Sequence, residues 1–458
     1  MSPEQQETAQ QPSASDMALR DEPVGRLFWR YALPTVSAML VTGIYGAIDG
    51  IFVGQVIGAD GMAGVMLGYA IGGIVYAIGA GIGMGAAALV AIALGRGDVA
   101  SARRLVGASL TMCILAAVLL IFPGLSLANS LLYWLGASER ATQLAADYLL
   151  WYFLLGFFPI IAMAFSALMR NDGHPRQVTL YMVIGGLLNI LLDYLLIVVV
   201  PLELHGASIA TMLSQLVTGG LCLLHFFGRN TRLRISWDTL RLRWKDCRDI
   251  MRTGLSSFLM YLYLSVVLTM HNKALLWVGQ TIHVAAYGIL SYIESFFYLV
   301  FEGVALAIQP ITSFNFGAGK WERVKQARNY AFLAAFVPGV IGLVLLFIWP
   351  DIAIRAFIAD DPEVIRYTRD ATYLYFWVLP AQGLLLVGAI YFQSIKMANE
   401  AAMLVGGKLV LVGIALVILA KYFGVDGVWV TLPLVSWCLV VWMWVIMRRA
   451  DARREGAV

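Results

Sequence analysis

Gly95-Arg-Gly-Asp-Val-Ala-Ser-Ala-Arg-Arg104 follows one long apolar stretch, and Gly317-Ala-Gly-Lys-Trp-Glu-Arg-Val-Lys325 follows another, 222 residues later. Outward from these turns the correspondence continues. Gly81 matches Gly303, Tyr76 matches Tyr298 and Ala63 matches Ala285. At an offset of 221, Pro159 matches Pro380, Gly185-Gly186 matches Gly406-Gly407 and Gly206 matches Gly427. The chain is read as two copies of one unit. Duplication in a membrane chain points to transport, with the site between two lobes.

The composition supports a membrane chain. Of the 458 residues, 60% are hydrophobic and 13% charged, against about 25% charged in an ordinary soluble domain. Mean hydropathy is +0.79. Between the charge clusters lie apolar runs long enough to cross a bilayer core. Twelve spans are predicted, near 27–54, 63–94, 104–135, 144–170, 178–201 and 206–228, then 250–278, 283–316, 327–350, 367–394, 401–423 and 427–448. All must be helical, because lipid offers no partner to an unpaired amide. The expected fold is an all-α polytopic bundle with two pseudo-symmetric six-helix lobes, 23–228 and 250–449. Residues 1–22 and 450–458 are expected as cytoplasmic tails, the first disordered and not a cleaved signal peptide. Residues 229–249 are expected as a cytoplasmic linker, either a plain basic stretch or an amphipathic helix through Trp237, Leu240 and Trp244.

Most of the 32 lysines and arginines fall on one side of this topology, including Arg103, Arg170, Arg176, the run from Arg229 to Arg252, Lys325 and Lys396. The positive-inside rule places that side, and both termini, in the cytoplasm. The net charge of +4 therefore reflects topology and not a nucleic-acid partner. Cys113, Cys222, Cys247 and Cys438 show no paired spacing and are expected as inert thiols, with neither a disulfide nor a metal framework.

The halves differ in their intramembrane acids. A charge at mid-membrane costs at least ~2.5–3.5 kcal/mol, which makes each one a functional candidate. Asp49 and Asp193 lie in the outer parts of spans 1 and 5, and their repeat mates are His271 and Ile414. Asn189 sits one helical turn before Asp193 and shares its face. Tyr148 and Thr211 fall at the same depth in spans 4 and 6. This set could hold a proton, since two carboxylates close together in a poorly solvated cavity favour the protonated form. Asp49, Asn189, Asp193 and Thr211 also offer the several oxygens that Na⁺ requires. The plain alternative is interhelical hydrogen bonding alone. In the second half Glu294 and Glu302, eight apart on one helix, are candidates for contact with a cationic substrate. A structural Lys273–Glu294 pair is the alternative. Pro34 is a hinge candidate or a fixed kink. His174 reads as a cytoplasmic turn residue. Gly79, Gly81, Gly83 and Gly85 fit close helix packing.

Taken in order, several motifs carry a family resemblance: Asp49-Gly-Ile-Phe-Val-Gly54, Asn189-Ile-Leu-Leu-Asp193, Gly206-Ala-Ser-Ile-Ala-Thr211 and Gln309-Pro-Ile-Thr-Ser-Phe-Asn-Phe-Gly-Ala-Gly-Lys320. Over nearly the whole chain the sequence resembles the multidrug and toxic compound extrusion (MATE) family, especially its DinF- and MepA-like bacterial branch. The resemblance implies a secondary antiporter of the bacterial inner membrane that exports organic cations or drugs, antibiotics among them, in exchange for H⁺ or Na⁺. It implies coupling roles for Asp49 and Asp193, supporting roles for Asn189, Thr211 and Tyr148, no cofactor beyond the coupling ion, and a monomer among membrane lipids. A flippase for a lipid-linked precursor is the alternative. It would want a row of cavity cations, where only Lys273 and Lys408 lie at membrane depth. A membrane enzyme lacks any nucleophile–base or metal-ligand spacing in the spans.

Overall fold

The structure, a computed structural model, describes residues 14–135, 139–228, 231–358 and 361–455. The helices are α1 (Ala14–Asp21), α2 (Val24–Val56), α3 (Ala59–Gly95), α4 (Val99–Leu135), α5 (Glu139–Leu154), α6 (Phe157–Asn171), α7 (Pro175–Asp193) and α8 (Glu203–His225). Then follow α9 (Trp244–Val278), α10 (Thr281–Gly317), α11 (Trp321–Ile348), α12 (Pro350–Arg355), α13 (Pro362–Tyr375), α14 (Val378–Ser394) and α15 (Ala398–Glu455). No strand occurs among the described residues.

Nine of these helices are long and apolar enough to cross a membrane. Two bent pairs, α5–α6 at 56° and α13–α14 at 52°, each make one further span. α15 supplies two spans. Its 58 residues would reach about 87 Å if straight, far beyond a hydrocarbon core of about 30 Å. Instead Gly424 takes φ 61°, ψ −137°, and a Cβ on Gly427 would lie 2.1 Å from the Leu419 carbonyl. Eight residues of straight helix would separate them by about 12 Å, so the chain doubles back there. The result is a multi-pass membrane protein of twelve spans, α2–α8 forming one lobe and α9–α15 the other.

The bends have a common cause. Pro159 and Pro380 lack the N–H that would bond the carbonyls of Leu155 and Phe376. Those carbonyls accept instead from Phe158 N at 2.9 Å and Leu379 N at 3.0 Å. Both prolines are a repeat pair, so both lobes break the same span at the same place.

The turns after α3 and α10 also correspond. Gly97 and Gly319 take φ of 77° and 72°, in the left-handed region that glycine enters without strain. Asp98 then accepts the Ser101 N–H at 2.9 Å at the start of α4.

The lobes close against each other on the face carrying these turns, called here the basic face. Glycines make that closure possible. On α3, Gly79 and Gly83 abut Ile160 and Ala164 of α6 within their own lobe. Gly81 and Gly85 abut Phe258, Ile250 and Gly254 of α9 in the other. Gly303 on α10 abuts the Val36 backbone of α2, while Gly95 meets Phe314 and Gly317 meets Ile92. Asn171 Nδ2 donates to Gln309 Oε1 at 3.3 Å, and Gln309 Nε2 to the Met84 carbonyl at 3.0 Å. Farther from these turns, Gly46, Gly50 and Gly288 have nothing within 4 Å.

One expectation about connecting segments is corrected, and one left open between two readings is decided. The first tail is not disordered from residue 14 on. α1 docks on the second lobe with Leu19 buried. Its last carbonyls, orphaned at any helix end, accept from Asn315 Nδ2 and Arg323 Nη2, both at 3.0 Å on Leu19, and from Lys320 Nζ at 2.9 Å on Arg20. Residues 1–13 lie outside the described residues. In the linker, residues 231–243 form no amphipathic helix. They run extended, with Leu233 and Ile235 buried and Trp237 89% exposed, interrupted by a single 3₁₀ turn at Trp237–Leu240. α9 starts at Trp244, six residues inside the stretch read as linker.

Candidate functional site

α2, α7 and α8 pack side by side and bring Asp49, Asn189, Asp193 and Thr211 into the interior of the first lobe. Their residue exposures are 3%, 1%, 0% and 6%. The close fit depends on small residues. A Cβ on Gly186 would meet the Tyr45 ring at 2.8 Å and one on Gly185 the Thr218 hydroxyl. Asp49 Oδ1, both oxygens of Asp193 and both amide atoms of Asn189 are buried without a hydrogen-bond partner. Buried polar atoms are normally satisfied, which marks this cluster as the candidate site. The two carboxylates lie close enough to repel one another. Thr211 differs. Its hydroxyl donates to the Ala207 carbonyl at 3.0 Å, which leaves only its oxygen lone pairs to offer. The donor set is all hard oxygen plus an amide, and it fits either a proton or Na⁺.

Tyr148 belongs to a tyrosine row beside the acids. Its hydroxyl is 2.8 Å from that of Tyr152, with ring centroids 4.7 Å apart. Tyr69 flanks Tyr148 at 6.0 Å and Tyr76 flanks Tyr152 at 6.3 Å. Ser208 Oγ donates to the Tyr148 carbonyl at 2.8 Å and ties α5 to α8. The row spans α3 and α5, and no periodicity in the sequence links those helices.

The chain after Asp193 departs from α-helical geometry. Tyr194–Val199 is a π-helical turn, a feature often placed at functional sites. It swings the Leu196 carbonyl toward α8, where a Cβ on Gly206 would meet it at 2.6 Å. Gly206→Ala is expected to lower stability by about 1–3 kcal/mol, read as a fall in Tm in detergent.

Pro34 stands apart from the acids. α2 stays continuous through it, and fifteen residues of helix put it about 22 Å from Asp49. Its carbonyl accepts from Thr179 Oγ1 at 2.9 Å, next to the Val36–Gly303 contact. Any hinge there acts on the inter-lobe closure and not directly on Asp49.

The two glutamates part company. Glu302 is 5% exposed and accepts from Tyr261 OH at 2.5 Å, near Arg170 of the first lobe. Glu294 accepts from Tyr375 OH inside the second lobe. Lys408 is the cation that acts on Glu294. It also donates to Gln382 Oε1 and lies 4.8 Å from the Tyr263 ring centroid. His271, the repeat mate of Asp49, is fully buried, stacks on Tyr287 at 5.0 Å and holds the Val267 carbonyl at 3.0 Å through Nδ1. The second lobe thus has its own polar cluster, mixed in charge, with Glu294 and Lys408. The sequence showed its members but not that they converge.

Two six-span lobes in contact and a cluster of unpartnered acids within one of them are features of a membrane transporter. The MatE family model matches twice, over residues 34–195 and 254–419, once per repeat, and the chain belongs to that family. Among its relatives are the FAD transporter of Shewanella oneidensis, 24% identical over 91% of this chain and 93% of the relative, and the multidrug export protein MepA of Staphylococcus aureus, 22% identical over 94% and 95%. The probable multidrug resistance protein NorM of Thermotoga maritima is 25% identical over 74% and 73%. In fold the chain is similar to an outward-facing MATE transporter structure, with TM-score 0.91 and 23% identity over 97% of this chain and all of the other.

Proposed function

We propose that the protein is a secondary antiporter that exports drugs or organic cations in exchange for H⁺ or Na⁺ across the bacterial inner membrane, as a monomer with both termini in the cytoplasm. The observation that carries this is the set of unpartnered oxygens of Asp49, Asn189 and Asp193 in one lobe of a two-lobe MATE fold. Substrate enters the cleft when it faces inward. After reorientation, the coupling ion binds at Asp49 and Asp193 from the outside. Charge neutralisation there, together with repacking of α2, disfavours substrate retention. Exchange follows because ion and substrate bind the two states unequally. Glu302, which Arg170 of the first lobe acts on, is the glutamate that lies between the lobes and is the one assigned to substrate, whereas Glu294 is held by Tyr375 within the second lobe.

The test is reconstitution in liposomes loaded with a fluorescent cation, with a pH gradient and a Na⁺ gradient imposed separately. One of the two is expected to drive efflux, and efflux under neither overturns the reading. A second loading with a flavin dinucleotide tests the substrate class named for the Shewanella relative. A lipid-linked precursor moved without cation export would favour a flippase.

A further inference from the structure

The turn between α6 and α7 gathers three potential ligands outside the transport cluster. Asp172 is 7% exposed. Its Oδ2 lies 2.8 Å from His225 Nε2, at the end of α8, and 3.9 Å from His174 Nδ1. One ligand atom from each residue lies within 4.8 Å of the others. Gly173 between the first two takes φ 92°, which folds Asp172 and His174 back toward one point. We propose that Asp172, His174 and His225 form a binding site for a transition-metal dication, zinc by preference, on the basic face of the first lobe.

The chemistry fits. Two imidazoles and one carboxylate are the donor set of open zinc sites, with ligand distances of about 2.0–2.2 Å. In tetrahedral geometry such ligands stand about 3.3 Å apart. Asp172 Oδ2 and His225 Nε2, hydrogen-bonded at 2.8 Å, would exchange that bond for the metal, and His174 Nδ1 stands 3.9 Å from the same oxygen. His174 Nδ1 is buried without a hydrogen-bond partner. A neutral imidazole offers this nitrogen with a free lone pair, as ligation requires. Thr231 Oγ1 donates to Asp172 Oδ2 at 2.9 Å and orients the carboxylate, the outer-sphere support typical of metal sites. A cavity of about 480 Å³ beside His174, lined also by Glu22, Arg30, Tyr31 and Arg176, gives access and room for a water ligand. Of its cations, Arg30 is paired with Glu22 at 2.9 Å. Imidazole ligands select Zn²⁺, Ni²⁺ or Co²⁺ over Mg²⁺ and Ca²⁺.

The site joins the α6–α7 turn and the end of α8 to Thr231 at the start of the linker. Its neighbour Asn171 holds Gln309 of the second lobe. Bound metal would therefore brace the closed basic face.

The experiment uses the full-length protein in detergent, without a histidine tag and stripped with a chelator. Zn²⁺ is titrated against a chromophoric chelator, and Co²⁺ binding is followed by absorption. One equivalent of Zn²⁺ is expected. Affinity should fall at least about tenfold in His174→Ala and in Asp172→Asn, and stay unchanged in Cys247→Ser/Cys438→Ser. Co²⁺ should give a spectrum without a thiolate band. His174 sits on a partly exposed turn, so its variant is expected to fold even if His225→Ala does not. No saturable equivalent, or unchanged affinity in His174→Ala, would overturn the proposal.

Discussion

Asp49→Asn and Asp193→Asn are each expected to reduce gradient-driven efflux by about 5- to 150-fold, the span of typical coupling energies of about 1–3 kcal/mol. Asparagine keeps the shape of the side chain but can neither take up a proton nor bring negative charge to Na⁺. The loss should be in coupling: substrate exchange without an imposed gradient persists, because the cleft walls are untouched. Both positions matter because each carries oxygens with no protein partner and the carboxylates act on each other. Tyr148→Phe removes a hydroxyl already bonded to Tyr152 and is expected to cost less. Glu294→Gln is the informative control. Its carboxylate is held by Tyr375 and acted on by Lys408, and more than about half of wild-type efflux should survive, a change well under 1 kcal/mol. An equal collapse would place coupling in both lobes.

The second large effect lies far from any charge. A Cβ on Gly254 would fall 1.7 Å from the Gly81 carbonyl, so Gly254→Ala must push α9 away from α3. The contact is backbone against backbone and no side chain can yield. Overpacking of this kind costs about 1–3 kcal/mol. Here the lobes can part instead of the fold unravelling, and the population shifts away from the state closed on the basic face. A cysteine introduced at Ile250, buried in that closure, should react with a membrane-impermeant thiol reagent from the basic face several-fold faster in Gly254→Ala than without it. Gly407→Ala, with open space around it, should leave the rate unchanged.

Much of the architecture was legible because membrane topology is written locally. Apolar length gives the spans, and the Gly97 and Gly319 turns recur at the repeat offset. The breaks within two spans are not legible from Pro159 and Pro380, even though the two form a repeat pair. A proline in a transmembrane helix can also leave the helix unbroken, as at Pro34. The docking of α1 was out of reach, because Asn315 and Arg323 reach it across some three hundred residues. Asp49, Asn189 and Asp193 stood out because charge in an apolar run is costly. The tyrosine row and the Lys408–Gln382–Glu294 cluster did not, since aromatic and amide side chains are common in such helices and only packing brings these together. His174 was read as a turn residue, which it is; its convergence with Asp172 and His225 needed the fold.

The central claim is that coupling ion and substrate compete through the first-lobe acids. The most direct measurement is the equilibrium Kd for a fluorescent cation, in detergent, as pH and Na⁺ are varied independently, for wild type and for Asp49→Asn/Asp193→Asn. Competition predicts that wild-type affinity weakens at least about tenfold, about 1.4 kcal/mol, as the coupling ion saturates, and that the double variant shows no such dependence. An ion dependence of the same size in the double variant would contradict it.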